Sequence, residues 1–550
     1  MKRLGDLLVG EVTIGDLVDV VAEKFPQREG LVVKNERMTF SELKERVDLL
    51  AKAFLRHGIG KGDKVAVWLS NRPEFIYTFL ALGKIGAVLV PLNTRYKTFE
   101  FEDTLRRSDC VALVTADHFL KIDFMNMIRE VLPELRESSP GSLHAEKCPK
   151  LRQVITVSEE KHLGTLDFDT FMSSGEGYPD SELERAQRGV GSEDIAVLMF
   201  TAGTTGLPKG VLLTHHMTGH HFLTGERIGV TEVDRGLLFL PLCHIFALAS
   251  CFINHLSHGA CTVLQEYFDP GESLRLMAEE RITFLGCVPT NVVMMLNHED
   301  FPKYQSALKL RRGIIGGAPV AYKLLMDIYE KMKAGGMCQG YGQTECCGVT
   351  SMTVNGERPE IVASSLGKPA SDYEVKIINP ETGEILPYDT EGELVVRGRA
   401  CMRGYYKMPK ETAGAMDSEG WIRSGDLVRM DKDHNLYFVG RVKDIFIVGG
   451  ENVAPAEVEN FLFSHPKVKD VQVIGVPDER LGEVPAAFIL LKEGEKAKPE
   501  EIIDYSKGKV ASYKVPRYVK FLNEYPLTAS GKVQKFKLRE IALKEWQLPG

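Results

Sequence analysis

From Thr39 onward the chain alternates short apolar runs with stretches of helical period, and few folds accommodate that alternation. "TFSELKERVDLLAKAF" opens with Thr39 and Glu42 spaced as a capping box and sets Leu43, Val47, Leu50 and Phe54 on one helical face. "KVAVWLS" reads as a buried strand, and "PEFIYTFLALGKIG" as a helix with Pro73 in its first turn. "AVLVPLN", "FEFEDTLRRSD" and "VALVTAD" continue as strand, helix and strand. Continuous apolar strands joined by helices demand parallel sheets covered on both faces, so the expected class is α/β.

The alternation does not run to the end. Residues 118 to 190 are less regular, with "ESSPGS" and "SSGEGYPDSE" reading as surface loops. After Gly367, "EGELVVRG", "WIRSGDLVRM" and "NLYFVGR" read as short strands joined by turns. From Lys443 onward the chain holds 17 Lys and Arg against 16 Asp and Glu, compared with 51 against 60 before it. The expectation is a large N-terminal domain over 1–442 and a small α+β domain over 443–550. No internal repeat or low-complexity tract interrupts this order.

Composition excludes several function classes. A chain of 550 residues is too long for one core. Its net charge of −8 offers no electrostatic footprint for nucleic acid. The ten cysteines include no CxxC pair, which fits reduced cytoplasmic thiols better than a disulfide framework or zinc site. "LLFLPLCHIFALASCFI" (Leu237–Ile253) is apolar but short and interrupted by Pro241 and His244, so it is expected in the core, not across a membrane. "HHMTGHH" contains histidines at i,i+4 without an HExxH signature, and "DKDHN" lacks the later ligands of a calcium loop and reads as a hairpin turn.

The densest chemistry lies in "FTAGTTGLPKGVLLTHH", Phe200 to His216. A strand ending in a glycine-rich turn exposes backbone N–H groups to an anion, threonine hydroxyls add donors, and Lys209 supplies a mobile charge. The spacing is not that of a Walker loop, and a flexible loop rich in small residues is the competing reading. "GGAPV" (Gly316–Val320) offers a backbone able to lie against a flat ring. "QGYGQTE" (Gln339–Glu345) gathers an aromatic, hydroxyl and amide groups and one carboxylate. "WIRSGDLV" places Asp426 where a carboxylate accepts from ribose hydroxyls or caps a turn. "GRVKD" adds Arg441, and "PLTASGKVQK" puts Lys532 in a glycine-flanked turn.

In this order, and over nearly the whole chain, these segments resemble the acyl-adenylate-forming superfamily of acyl-CoA synthetases, aryl-CoA ligases, luciferases and peptide-synthetase adenylation domains. The resemblance implies parallel sheets plus a distorted β-barrel in the large domain, a mobile small domain, and ATP, Mg²⁺ and coenzyme A as cofactors. It implies phosphate contacts from Thr201, Thr204, Thr205 and Lys209. Gly317, Ala318 and Pro319 would flank adenine on one side and Tyr341, with Gly342 and Gln343 after it, on the other. Asp426 and Arg441 would hold the ribose. Glu345 would hold the metal, and Thr344 and Lys532 would act at the α-phosphate. Lys443 takes the hinge position, and Gly449, Gly450, Arg480, Lys514 and Arg517 face CoA; for the three basic residues, solvated surface charge is an equal reading.

No acidic side chain occurs between Leu237 and Leu264, the region that lines the acyl pocket in this superfamily. An amino-acid ammonium would be buried there without a counter-charge, so an amino-acid substrate is disfavoured. His244, Phe246 and the run "CVPTNVVMML" point to an apolar tunnel for a medium-chain, cyclic or aromatic acid, with a long-chain fatty acid next. The expected function is an AMP-forming acid–thiol ligase, monomeric or homodimeric and cytoplasmic. The alternatives are an adenylate-forming enzyme that loads a carrier protein and a non-catalytic acyl- or nucleotide-binding protein.

Overall fold

The computed structural model describes residues 12–34, 36–201, 208–318, 320–444, 446–448, 451–478, 480–527 and 533–548. Contacts divide the chain into two compact units, Met1–Glu374 with Val396–Ile422, and Val375–Val395 with Arg423–Gly550. Compactness and the expected boundary at 442/443 therefore part the chain at different points. The second unit takes in the strands that carry Asp426 and Arg441, which the sequence assigns to the large domain.

The first unit is built on two sheets. In one, strands run in the order Lys209–Thr214, Ile195–Thr201, Val88–Pro91, Lys64–Trp68, Ala112–Ala116, Gln153–Val157, Leu166–Asp167. All neighbours are parallel except the first pair. The other has nine strands among the described residues, with a parallel run through Gly336–Tyr341, Arg312–Gly316, Phe284–Cys287, Arg235–Leu238, Cys261–Leu264 and Glu29–Val33. The connecting elements follow the expected pattern. Helix Phe40–Arg56 starts at a capping box in which both the Thr39 hydroxyl and the Glu42 carboxylate accept, and it buries Leu43, Val47, Leu50 and Phe54. Helix Pro73–Ile85 begins at Pro73. Trp68 lies stacked between Phe101 at 4.3 Å and Phe124 at 4.0 Å, which seals this sheet against its helices.

The apolar segment after Arg235–Leu238 is buried in the core as a π-helical stretch, Phe246–Ile253, running into helix Asn254–Ser257. Among the described residues, no helix is long and apolar enough to cross a membrane.

The strands expected in a distorted barrel form a four-stranded antiparallel sheet in the order Tyr373–Ile378, Glu391–Gly398, Ile422–Met430, Leu436–Arg441. "DKDHN" makes the turn between the last two: the Asp431 carboxylate accepts from the backbone of Asp433 (3.0 Å) and Asn435 (2.8 Å). The rest of the second unit wraps helices around a sheet whose central strand is Gly482–Leu491, paired with Val468–Asp478, Phe446–Val448 and Tyr518–Phe521. Its own core includes Phe446, Val473, Phe488 and Leu538.

Candidate active site

Loops at the carboxyl edge of a parallel sheet carry ligand sites, because every strand ends there and every helix begins there. Strands Arg312–Gly316 and Gly336–Tyr341 are parallel neighbours with Gly316 opposite Gly340, so "GGAPV" and "YGQTE" leave the sheet side by side. A Cβ on Gly316 would lie 2.7 Å from the Gly340 carbonyl oxygen, so these two backbones approach as only glycine allows. Gly317 sits at φ +78 and is exposed with Ala318, leaving bare backbone facing outward. Pro319 lies outside the described residues.

After Tyr341 the chain folds tightly back on itself. A Cβ on Gly342 would fall 2.0 Å from the Gly348 carbonyl oxygen. Thr344–Cys346 form a single 3-10 turn, followed by Cys347 at φ 54 and Gly348 at φ 96. Three buried side chains hold the carbonyls of this turn. His221 Nε2 donates to Cys347 O at 2.8 Å, His220 Nε2 to Val349 O at 2.9 Å, and the Tyr373 hydroxyl to Cys346 O at 3.0 Å. His220 Nδ1 meets Asp372 at 2.9 Å, and its ring stacks on Tyr373 at 4.4 Å. Burial pushes His221 down to about 3 and His215 to about 4, so both are neutral. His215 Nδ1 accepts from the Ile14 backbone at 3.1 Å, and His216 faces Glu193 at 2.9 Å. The "HHMTGHH" histidines thus point to separate partners, two of them bracing the Glu345 turn. Among the described residues, no group of three or more His, Cys, Asp or Glu is placed to hold a metal ion.

Strand Ile195–Thr201 pairs with Lys209–Thr214 so that Thr201 stands opposite Lys209. The connecting residues, including Thr204 and Thr205, lie outside the described ones, as do Gly449, Gly450 and Lys532. The far side of Lys209–Thr214 is bonded to residues 403–406: Leu212 N donates to Gly404 O (3.1 Å) and Tyr406 N to Gly210 O (2.7 Å). That pairing seats the Tyr405 ring 4.7 Å from the Lys209 ammonium, a cation–π contact. The Tyr405 hydroxyl donates to Glu345 Oε1 at 2.9 Å, and Met402 N donates to the Glu345 carbonyl at 2.8 Å. Burial and the adjacent Glu345 carboxylate push the Tyr405 hydroxyl far above its ordinary range, so it remains a donor. Lys209 and Glu345 are joined through a residue that the motifs do not name.

His244 and Phe246 leave the end of strand Arg235–Leu238 in the same sheet. Buried Asn71 fixes this loop: its amide donates to Leu240 O (2.9 Å) and Gln265 O (3.1 Å) and accepts from Leu242 N (3.0 Å). Phe246 packs against the buried cluster of Phe284, Ile314, Val349 and Met352, and its ring edge would be 3.8 Å from a Cβ on Gly316. The run "CVPTNVVMML" divides between core and surface, with Val292 and Met295 buried and Val293 and Met294 exposed.

In the second unit, Asp426 and Arg441 face each other across paired strands, and Arg441 Nε contacts Asp426 Oδ1 at 3.0 Å. Asp426 is buried and Arg441 exposed. The turn before Asp426 depends on Gly425 at φ +71, whose N–H is accepted by buried Glu393 at 3.1 Å; Arg423 Nε pairs with that same carboxylate at 2.8 Å. Lys443 is exposed in the turn that follows the Arg441 strand. Arg480 is exposed with its backbone N–H on Asp478 (3.0 Å), while Lys514 is ion-paired with Glu457. Arg517 contacts Asp478 at 3.0 Å, so carboxylates already attend the basic residues assigned to CoA.

The family model described as AMP-binding enzyme matches residues 18–406, and that of the AMP-binding enzyme C-terminal domain matches 457–532. The chain is 37% identical to the putative acyl-CoA synthetase YngI of Bacillus subtilis (strain 168), over 98% of each chain. It is 38% identical to the mitochondrial medium-chain acyl-CoA ligase ACSF2 of Bos taurus, over 96% of this chain and 87% of the relative. Among solved structures it is similar to the anthranilate CoA ligase AuaEII in complex with anthranoyl-AMP, with TM-score 0.84, 25% identity, and 99% and 100% of the two chains covered. The chain belongs to the AMP-binding enzyme family, among its acyl-CoA synthetases.

Proposed function

We propose that this chain is an ATP-dependent, AMP-forming ligase that joins a medium-chain carboxylic acid to coenzyme A through an acyl-adenylate. The observation that carries the reading is the linkage of Lys209, through Tyr405, to Glu345 beside the "GGAPV" and "YGQTE" backbones. It sets a cation for phosphate and a carboxylate for a divalent ion next to a glycine-lined edge suited to adenine.

A carboxylate is a poor electrophile, since its charge repels nucleophiles and oxide does not leave. In the first step a carboxylate oxygen attacks the α-phosphorus of ATP, and the bond to the β-phosphate breaks to release pyrophosphate. Charge grows on the departing phosphates, where Thr201, Thr204, Thr205 and Lys209 donate. Lys532 offsets charge on the α-phosphate oxygens, and Thr344 donates a hydrogen bond to them. Tyr341, Gly317, Ala318 and Pro319 hold adenine, with Gly342 and Gln343 shaping the turn, and Asp426 with Arg441 holds the ribose. Glu345, a hard oxygen donor with a second carboxylate oxygen besides the one bonded to Tyr405, fits magnesium, which when bound would offset phosphate charge. In the second step the CoA thiol attacks the acyl carbon, AMP leaves with the bonding pair, and the thiol proton passes to solvent.

Lys443 is proposed as the hinge about which residues 443–550 turn between the steps, with Gly449, Gly450, Arg480 and Lys514 toward CoA. His244 and Phe246 line the acyl pocket; the name of the ACSF2 relative supports a medium chain. Ten free, buried cysteines support a reducing compartment, and we place the chain in the cytoplasm as a monomer or homodimer.

The test is release of pyrophosphate and AMP with straight-chain, cyclic and aromatic acids, each with and without CoA. CoA-dependent AMP release, greatest with acids of medium length, is expected. Turnover indifferent to CoA would redirect the reading to a carrier protein, and no release with any acid would overturn it.

A further inference from the structure

Lys209 and Glu345 are opposite charges, each half-buried and each in contact with the Tyr405 side chain, so they attract one another. If they met, each would cancel the other's use toward phosphate and metal. Tyr405 stands between them, its ring face toward Lys209 at 4.7 Å and its hydroxyl on Glu345 Oε1 at 2.9 Å. The backbone that carries the ring is held from two sides. Val211 and Tyr405 form an antiparallel bridge, and Tyr405 N donates to the Thr412 hydroxyl at 2.9 Å. Tyr405 is buried, so the spacer is rigid.

We infer that Tyr405 is a positioning residue for adenylation, keeping Lys209 and Glu345 apart and aimed so that the metal–nucleotide complex binds between their free faces. The inference rests on the ligase reading. It acts through the two charged residues, and Tyr405 takes no part in bond making. A hydroxyl that bonds only one carboxylate oxygen leaves the other to the metal. A ring that engages the ammonium through its face leaves the N–H donors free to turn toward phosphate.

The experiment compares wild type, Tyr405→Phe and Tyr405→Leu. Binding of the Mn²⁺–ATP complex is read by electron paramagnetic resonance without acid, alongside acid-dependent pyrophosphate release and conversion of supplied acyl-adenylate to thioester. Tyr405→Phe keeps the ring and its packing but loses the charged hydrogen bond, so Mn²⁺–ATP binding should weaken about tenfold and adenylation fall with it. Conversion of supplied acyl-adenylate, which needs neither the β- and γ-phosphates nor the metal, should stay at the wild-type rate. Tyr405→Leu, which frees Lys209 to pair with Glu345, should weaken Mn²⁺–ATP binding further. Unchanged binding in Tyr405→Phe, or equal loss of both half-reactions, would overturn the inference. A wild-type chain that does not bind Mn²⁺–ATP would overturn the ligase reading and this inference together, so the two failures are distinguishable.

Discussion

Asp426 is a buried carboxylate whose Oδ1 meets the exposed Arg441 guanidinium at 3.0 Å across paired strands. In the proposed ribose role this carboxylate accepts from the paired hydroxyls of the nucleotide, which are donors of the right kind. Replacing Asp426 with Ala should raise KM for ATP by about tenfold to a hundredfold, the worth of a hydrogen bond to a charged group. Asp426→Asn, which still accepts, should fall between; steady-state kinetics at saturating acid and CoA would check both. Equal KM in all three chains would remove Asp426 from the ribose site. The motif around Asp426 was legible because its glycine, serine and aspartate are contiguous. Glu393, which receives the Gly425 N–H, was not, for it sits 32 residues away in a strand that reads only as strand. Tyr405 was missed for the same reason: it meets Glu345 across 60 residues, and "RGYYK" has no local pattern that names a partner.

Short elements around the Glu345 turn show what periodicity can and cannot reveal. The helices and strands of the parallel sheets were readable because apolar spacing repeats within each segment, as Leu43, Val47, Leu50 and Phe54 do in Phe40–Arg56. The π-helical stretch Phe246–Ile253 was not, because a uniformly apolar run has no face to reveal its period. Nor was the brace on the turn: His220 and His221 of helix Met217–Ile228, with Tyr373, donate to the carbonyls of Val349, Cys347 and Cys346, partners far apart in sequence. Gly342 is the tightest point of that turn, where any side chain meets Gly348 O at 2.0 Å. Gly342→Ala should displace Thr344 and Glu345 and cut adenylation by about a hundredfold, a shift of the size expected when catalytic groups move by an ångström. Thioester formation from supplied acyl-adenylate should suffer far less. Adenylation at the wild-type rate in Gly342→Ala would show that the turn tolerates the shift and that Glu345 is not held there for catalysis.

Across the whole molecule, neutral buried histidines set an acid limit on stability. Burial pushes His215 to about 4 and both His221 and His255 to about 3, against 6.5 in the unfolded chain. Between 6.5 and those values the unfolded state binds protons that the folded state refuses, so stability rises with pH there and is lost as pH falls. Denaturant midpoints measured from pH 7.5 to 4.5 should therefore decline starting near pH 6.5, above the range in which carboxylates titrate. A flat profile down to pH 5 would show these histidines to be reachable by solvent. Lys209 and Glu345 belong to one compact unit, and Asp426, Arg441 and Lys443 to the other. The sequence boundary at 442/443 came from a change in charge and strand grammar, which marks composition; compactness follows pairing across strands distant in sequence.

The acyl-adenylate route transfers one oxygen of the acid to AMP. A medium-chain acid labelled with oxygen-18 in both carboxylate positions, incubated with ATP, magnesium and CoA, would be followed by mass spectrometry of the nucleotide products. One labelled oxygen in each AMP, and none in pyrophosphate, is the predicted result. Label appearing in inorganic phosphate with ADP as product, or AMP formed without label, would contradict the acyl-adenylate route and the assignment of the site with it.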